Sequence, residues 1–313
     1  MEKKVLAFDF GASGGRAMCG TFDGDKISIE ELHRFSNDPV ILNGSMYWDV
    51  LRLFFEIKQG LIKAKKCGKI ESIGIDTWGV DFGLIDEEGR LLENPVHYRD
   101  ARTEGMIEES FKLIDKEKFY QITGNQFMDL NTAFQLLSLV KTRKELLEKA
   151  DKMILMPDLF NYFLTGEKKA EYSIASTTQL LDAKKGEWSD EVIEALGIPK
   201  HIFPEIVPTG TKIGTLTDEI CTELGLDKID VMAVDTVNKR LFAGECKYHN
   251  QPIDADVYFE LVKKVDNSSE IKSAFKGYTV IYGVFSKSGF TSRMTDISNS
   301  NPNLFLINET SIV

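Results

Sequence analysis

The sequence predicts an α/β protein whose main domain is built on a mixed sheet, with a smaller α/β unit after it. Three observations lead there: a run of short alternating strands at the start, helices alternating with strands after it, and a change of pattern near residue 230. Val5-Leu6-Ala7-Phe8-Asp9-Phe10 is followed by a turn of small residues, then by Arg16-Ala17-Met18-Cys19-Gly20-Thr21-Phe22. A second turn at Asp23-Gly24-Asp25 leads to Ile27-Ser28-Ile29-Glu30-Glu31-Leu32. Apolar and polar residues alternate along all three stretches, as a strand meander requires. Residues 48–66 set Leu51, Phe54, Phe55, Ile57, Leu61 and Ile62 at helical spacing, and Gly68 stops that helix. Ile73-Gly74-Ile75 reads as a buried strand answered by Phe82-Gly83-Leu84-Ile85, and residues 103–165 read as mostly helical up to Gly166. Prolines and glycines make 204–214 a linker or turn region. Beyond it the pattern gives two short strands (229–234 and 240–246), a helix at 257–265, a strand at 278–285 and a last strand at Leu304-Phe305-Leu306. The expected division is a domain over 1–228 and a segment over 229–313.

With 313 residues the chain is long enough for two domains. Its net charge of −11 would repel phosphate backbones and anionic headgroups, so nucleic acid is not expected as a general partner, nor is a membrane surface. Nearly all of the excess negative charge lies before residue 228, so the tail presents a different surface. Cys19, Cys67, Cys221 and Cys246 form no C-x-x-C pair, which points to reduced thiols. The first apolar run is broken at Asp9, too short for a signal peptide, and no stretch approaches a membrane span. The expectation is a cytoplasmic protein.

Asp9-Phe10-Gly11-Ala12-Ser13-Gly14-Gly15-Arg16 carries the most information. A turn of Gly, Ala and Ser between two strands lets backbone N–H groups approach an anion without side-chain obstruction, and Ser13 adds a hydroxyl. Asp9 at the end of the first strand is placed to hold Mg²⁺ through water, and Arg16 adds positive charge. The same residues also read as a glycine-rich hairpin with a solvated aspartate. A second cluster, Gly74-Ile75-Asp76-Thr77-Trp78-Gly79-Val80-Asp81-Phe82, ends a strand in polar groups, an aromatic ring and a glycine. Trp78 suits stacking on a sugar face and Asp81 suits holding its hydroxyls; a bend with a buried Trp is the alternative. In the third, Arg99, Asp100 and Arg102 either line a site or cap the helix that follows.

Together these clusters resemble the N-terminal domain of the FGGY family of carbohydrate kinases. Asp76-Thr77-Trp78-Gly79-Val80-Asp81-Phe82 and Tyr98-Arg99-Asp100-Ala101-Arg102-Thr103 are similar to the rhamnulokinases within it. Tyr47-Trp48-Asp49-Val50, Met156-Pro157-Asp158 and Ala175-Ser176-Thr177-Thr178-Gln179-Leu180 agree. The resemblance implies an actin-like, ribonuclease-H-like fold, ATP phosphates at Ala12, Ser13, Gly14, Gly15 and Arg16, the use of Mg²⁺ with ATP, and a sugar contacted at Gly79. It implies ATP-dependent phosphorylation of L-rhamnulose at its 1-hydroxyl. Kinases of this family use a second domain and an aspartate base in a His-Asp-Thr-like motif. Here Val234-Asp235-Thr236 lacks the His, so no catalytic base is assigned in the kinase half, and the chain is expected to be catalytically incomplete.

Asp230 followed by Glu245-Cys246-Lys247 sets two carboxylates and a lysine on adjacent strands, a pattern suited to Mg²⁺-dependent phosphodiester hydrolysis. With Asn250-Gln251-Pro252-Ile253 and Phe285-Ser286-Lys287-Ser288-Gly289-Phe290 it resembles the PD-(D/E)xK nuclease-like domain of certain prokaryotic AAA-type ATPases. That resemblance implies a small restriction-endonuclease-like α/β segment over 229–313 and a fusion of unrelated sequences near 228. The expected functions are therefore a sugar kinase, a nuclease or nucleic-acid-binding module confined to the tail, or a sugar-binding protein without catalysis.

Overall fold

The alternation in the first strand decides the layering of the first unit. Leu6, Phe8 and Phe10 of β1 (Lys3–Phe10) are buried, as are Ala17 and Cys19 of β2 (Gly14–Phe22). The computed structural model describes residues 2–226, 231–247 and 250–308, and it divides into two units, one ending at Thr217 and one beginning at Asp218. β1 and β2 pair antiparallel, with Asp9 opposite Arg16 and Phe10 opposite Gly15, and β3 (Ile27–Ser36) extends the meander after a bulge at Ala17 and Met18. A small hairpin of β4 (Val40–Leu42) and β5 (Ser45–Tyr47) turns through Asn43 and Gly44, both at positive φ as a tight hairpin turn requires.

Helix α1 (Val50–Ala64) is capped by the Asp49 side chain, which accepts from the Arg52 amide, and it ends one 3-10 turn before Gly68. It lays Leu53, Ile57, Gly60, Leu61 and Ala64 on the buried face of the sheet. His33 of β3 and the buried Glu56 of α1 meet at 2.5 Å between Nε2 and Oε2. The chain then returns through β6 (Ser72–Asp76), parallel to β1, so that the order is β3-β2-β1-β6 and Asp9 lies beside Asp76.

The strand β7 (Phe82–Ile85) forms where expected but does not answer β6. It pairs antiparallel with β8 (Lys152–Leu155), a strand inside the stretch read as helical. All four β7 residues are buried, as are Met153, Ile154 and Leu155 of β8, so the pair forms in the core, where three apolar residues in a row give β8 no helix-or-strand signal of its own. Around it pack Phe119, Phe134, Leu136, Leu137, Leu147, Met153, Leu180, Ile193 and Ile202. Residues 204–214 hold a short strand as well as turns: Glu205–Val207 pairs parallel with Lys169–Glu171.

In the second unit the strands Val231–Asp235 and Arg240–Lys247 form an antiparallel hairpin, and Thr279–Ser286 and Leu304–Asn308 join in parallel. The helix Asp256–Asn267 packs Leu261 and Val265 with Ala243. The helices Ser269–Ala274 and Ser292–Ser300 were not expected from the sequence, because their polar composition hides the period. No helix among the described residues is long and apolar enough to cross a membrane.

Gly60 makes the close approach of α1 to the sheet possible. Alanine normally favours a helix over glycine by about 1 kcal/mol. At this position a Cβ would lie 2.5 Å from the Phe8 ring and 2.9 Å from the Ala17 methyl, both fully buried. Gly60→Ala should therefore destabilise the unit by about 1–3 kcal/mol, read as a lower urea midpoint. A gain in stability would contradict this packing.

Candidate functional site

The parallel pairing of β1 and β6 sends both strands to the same edge of the sheet, and the polar clusters read from the sequence follow directly from their ends. At the β1–β2 turn the Gly11 amide donates to the Gly14 carbonyl at 2.8 Å. The buried Asn37 fixes the turn from below, its side-chain amide donating to the Gly11 carbonyl at 2.9 Å and its backbone amide to that of Ser13 at 3.3 Å. A Cβ on Gly14 would lie 2.9 Å from the Phe35 carbonyl, so β3 admits only glycine there. Ala12 and Ser13 remain exposed. Arg16 donates from Nε and Nη2 to Asp9 Oδ2, at 2.9 and 2.8 Å, so the two charged residues of the loop neutralise each other across the hairpin. Asp76, not singled out from the sequence, is exposed and stands beside Asp9 in register. Only the strand pairing reveals that neighbour.

After Asp76 the backbone turns abruptly. The Asp81 amide donates to the Gly79 carbonyl at 3.0 Å across Val80, whose φ is +69°. This is a three-residue turn of the positive-φ kind, and a β-branched residue at its centre costs on the order of 1–3 kcal/mol. Its surroundings hold it there. Thr132 Oγ1 donates to the Val80 carbonyl at 2.6 Å, and the Val80 amide donates to Thr177 Oγ1 at 3.3 Å. A Cβ on Gly79 would meet Thr177 Oγ1 at 3.1 Å.

Asp81 sits beneath this turn with 0% of its surface exposed. Its Oδ2 accepts from the Trp48 indole at 2.6 Å, the Trp78 indole at 3.0 Å and the Tyr98 amide at 3.2 Å, and its Oδ1 from Gln135 Nε2 at 2.9 Å. The carboxylate expected to hold sugar hydroxyls thus points into the protein. Trp78 is half-buried, with its ring 3.9 Å from that of Trp48. On the far side of Trp48 the His97 ring stacks at 4.0 Å. His97 Nδ1 accepts from the Arg99 amide, and burial with the nearby Arg99 charge pushes its pKa down to about 4. Asp100 accepts from the Arg102 amide at 3.0 Å and the Met46 amide at 2.8 Å, a capping role. Arg102 turns inward to Gln135 Oε1 at 2.6 Å, with its Nε buried and unpartnered.

In the second unit Glu245 is buried, and its carboxylate is held by Lys247 at 2.8 Å and Lys264 at 3.1 Å. Asp230, the expected companion of Glu245, lies outside the described residues. No group of three or more His, Cys, Asp and Glu side chains able to hold a metal forms among the described residues. Asp235 accepts from the Val237 and Asn238 amides and from the Asn238 side chain, and these bonds, led by the Asn238 amide, hold its pKa below the usual range. It makes the hairpin turn.

Residues 4–238 match the N-terminal domain of the FGGY family of carbohydrate kinases. The chain belongs to this family. It is 43% identical over 228 residues to a rhamnulokinase of Oceanobacillus iheyensis, covering 72% of this chain and 48% of that protein. It is 44% identical over 224 residues to a rhamnulokinase of Halalkalibacterium halodurans, covering 71% and 48%. The chain spans about half the length of the curated relatives it matches. Among solved structures it is similar in fold to a gluconate kinase from Lactobacillus acidophilus, with TM-score 0.65, 19% identity and coverage of 72% and 46%. It is also similar to Plasmodium falciparum glycerol kinase with ADP, with TM-score 0.61, 19% identity and coverage of 71% and 46%.

These findings correct the reading of the tail. The family match runs to residue 238, across the join placed at 228, and the likeness to solved structures is to one FGGY-type α/β kinase fold over most of the chain. They give no support to a kinase domain followed by a restriction-endonuclease-like segment. The Glu-x-Lys pattern that suggested a nuclease is a buried ion-pair cluster, in which Lys247 and Lys264 compensate the charge of Glu245.

Burial pushes Asp81 up to about 6, against the pull of its hydrogen bonds from Trp48, Gln135, Trp78 and Tyr98. A carboxyl group with a raised folded-state pKa binds its proton more tightly in the folded protein. Its contribution to stability therefore grows as pH falls through 6 toward 4. His97 contributes in the opposite sense, losing stability between 6.5 and 4. Comparison with Asp81→Asn cancels His97 and isolates the carboxyl group. Unfolding measured from pH 7 to pH 4 should show the wild type gaining about 2–3 kcal/mol relative to the variant. A pH-independent difference would contradict the assignment.

Proposed function

We propose that the chain is a rhamnulokinase-type sugar kinase that takes up L-rhamnulose and ATP with Mg²⁺ for transfer to the sugar's 1-hydroxyl. The observation that carries this reading is the meeting of Asp9 and Asp76 on adjacent strand ends, between the Gly11–Gly14 turn on one side and the Gly79 turn on the other. In open α/β sheets small ligands are received at the C-terminal ends of parallel strands, and both β1 and β6 end here. The rhamnulokinase relatives support the choice of sugar.

The residues fit the groups assigned to them. The turn made of the exposed Ala12 and Ser13 and the half-buried Gly14 carries no bulky side chain, and suits phosphate oxygens. Asp9 and Asp76 are the hard oxygen donors that a nucleotide-bound Mg²⁺ takes from protein, and that ion, when bound, would offset negative charge on the phosphates. Arg16 orients Asp9 through its two hydrogen bonds across the turn. Gly79, with no side chain, lets a sugar approach the backbone, and Trp78 offers an aromatic face. No general base is assigned among the described residues, since Asp235 is occupied in its turn.

Titration of the purified chain with L-rhamnulose, xylulose, gluconate and glycerol, followed by tryptophan fluorescence, tests the sugar. L-rhamnulose should bind most tightly, and equal or absent responses would overturn the reading. For the nucleotide, Asp9→Ala should weaken MgATP binding by about 10-fold or more, with sugar affinity retained. Unchanged MgATP affinity would remove Asp9 from the metal site.

A further inference from the structure

The turn at Val80 and the buried carboxylate below it are not explained by packing alone. A β-branched residue is the wrong choice for φ +69°, and strain of this kind persists only where surrounding contacts over-determine it. Here they do so from three directions. Thr132 and Gln135, both from the helix Thr132–Thr142, reach the Val80 carbonyl at 2.6 and 3.3 Å. Thr177 accepts from the Val80 amide. The Asp81 side chain then binds Gln135 again, together with both indoles and the Tyr98 amide.

The consequence falls on two neighbours that are not themselves buried. Trp78, one residue before Gly79, has its indole nitrogen tied to Asp81 and its ring stacked on Trp48, so its orientation is fixed before any ligand arrives. Gly79 has its carbonyl engaged by the Asp81 amide, which sets the peptide plane that a ligand would meet.

We propose that Asp81 is the positioning residue of the sugar site: it touches no ligand, but by gathering Trp48, Trp78, Tyr98 and Gln135 it imposes the strained turn that presents Gly79 and Trp78 to a ketose. This deepens the function proposed above and rests on it. A fixed aromatic face and a fixed peptide plane select among sugars by the orientation of their hydroxyls, with little ordering left to be done on binding. The phosphate turn at Gly11–Gly14 is held by Asn37 and Phe35 instead, so the two halves of the site have separate supports.

The test uses that separation. L-rhamnulose affinity is measured by tryptophan fluorescence and MgATP affinity by calorimetry, for the wild type, Asp81→Asn and Thr132→Val. An asparagine cannot accept at both former carboxylate oxygens, and the isosteric valine removes one hydrogen bond to Val80. Asp81→Asn should lose about 10-fold or more in sugar affinity, and Thr132→Val about 3-fold or more, with MgATP affinity within about 2-fold of wild type. A structural role alone would move both ligands or neither. If Asp81→Asn does not fold, Thr132→Val decides, and unchanged sugar affinity there overturns the proposal. Sugar binding that survives in both variants overturns the positioning role alone, whereas no sugar binding by the wild type overturns the functional reading and this inference with it.

Discussion

A carboxylate removed from water needs hydrogen-bond donors on every side, and Asp81 draws them from parts of the chain far apart in sequence. Trp48 lies just before α1, Trp78 follows β6, Tyr98 belongs to the loop after β7, and Gln135 is on the helix Thr132–Thr142. Leaving any one donor out would expose the cost of the buried charge, so the four segments are constrained together. Burial of the charge opposes folding while the gathered donors favour it, and the raised pKa of the group is the balance of the two. The layering of the first unit, with α1 on one face of the sheet and β7 in the core, is what brings these segments within reach.

The candidate site has two parts with different physical origins. The phosphate side is a matter of backbone: a turn without bulky side chains, supported by Asn37 and closed by the pairing of Arg16 with Asp9. The sugar side is a matter of strain, with Val80 held at positive φ over the polar cluster. Parallel pairing of β1 with β6 sets the two side by side and adds Asp76, giving the edge two exposed carboxylates. In the second unit the same residue chemistry has a different outcome. Glu245 has lysines instead of amides and indoles as partners, which makes it part of an ion-pair cluster.

Much of this architecture was legible before the fold. The meander, the α1 helix and the first two polar clusters follow from alternation, helical spacing and turn residues, all local signals. What the sequence concealed was non-local. Asp76 gains meaning only when β6 is known to lie parallel to β1, and Asp81 looked like a ligand because a carboxylate beside an aromatic and a glycine usually faces solvent. Its partners Trp48 and Gln135 are 33 and 54 positions away, beyond the reach of any spacing argument. The strand Lys152–Leu155 was lost among helices because a short buried strand has no period to betray it. The tail misled for the complementary reason: Glu245 and Lys247 stand at a spacing that suits a metal site, and nothing local reports Lys264 on the opposing helix.

The central claim is that one buried carboxylate holds both indoles, and proton NMR of the Trp48 and Trp78 Nε1–H groups tests it most directly. Both resonances should be shifted by hydrogen bonding to Asp81 and should move together on titration, with a common midpoint near pH 6 that is absent in Asp81→Asn. Indole resonances that titrate independently of one another, or that are unchanged by the substitution, would contradict the account.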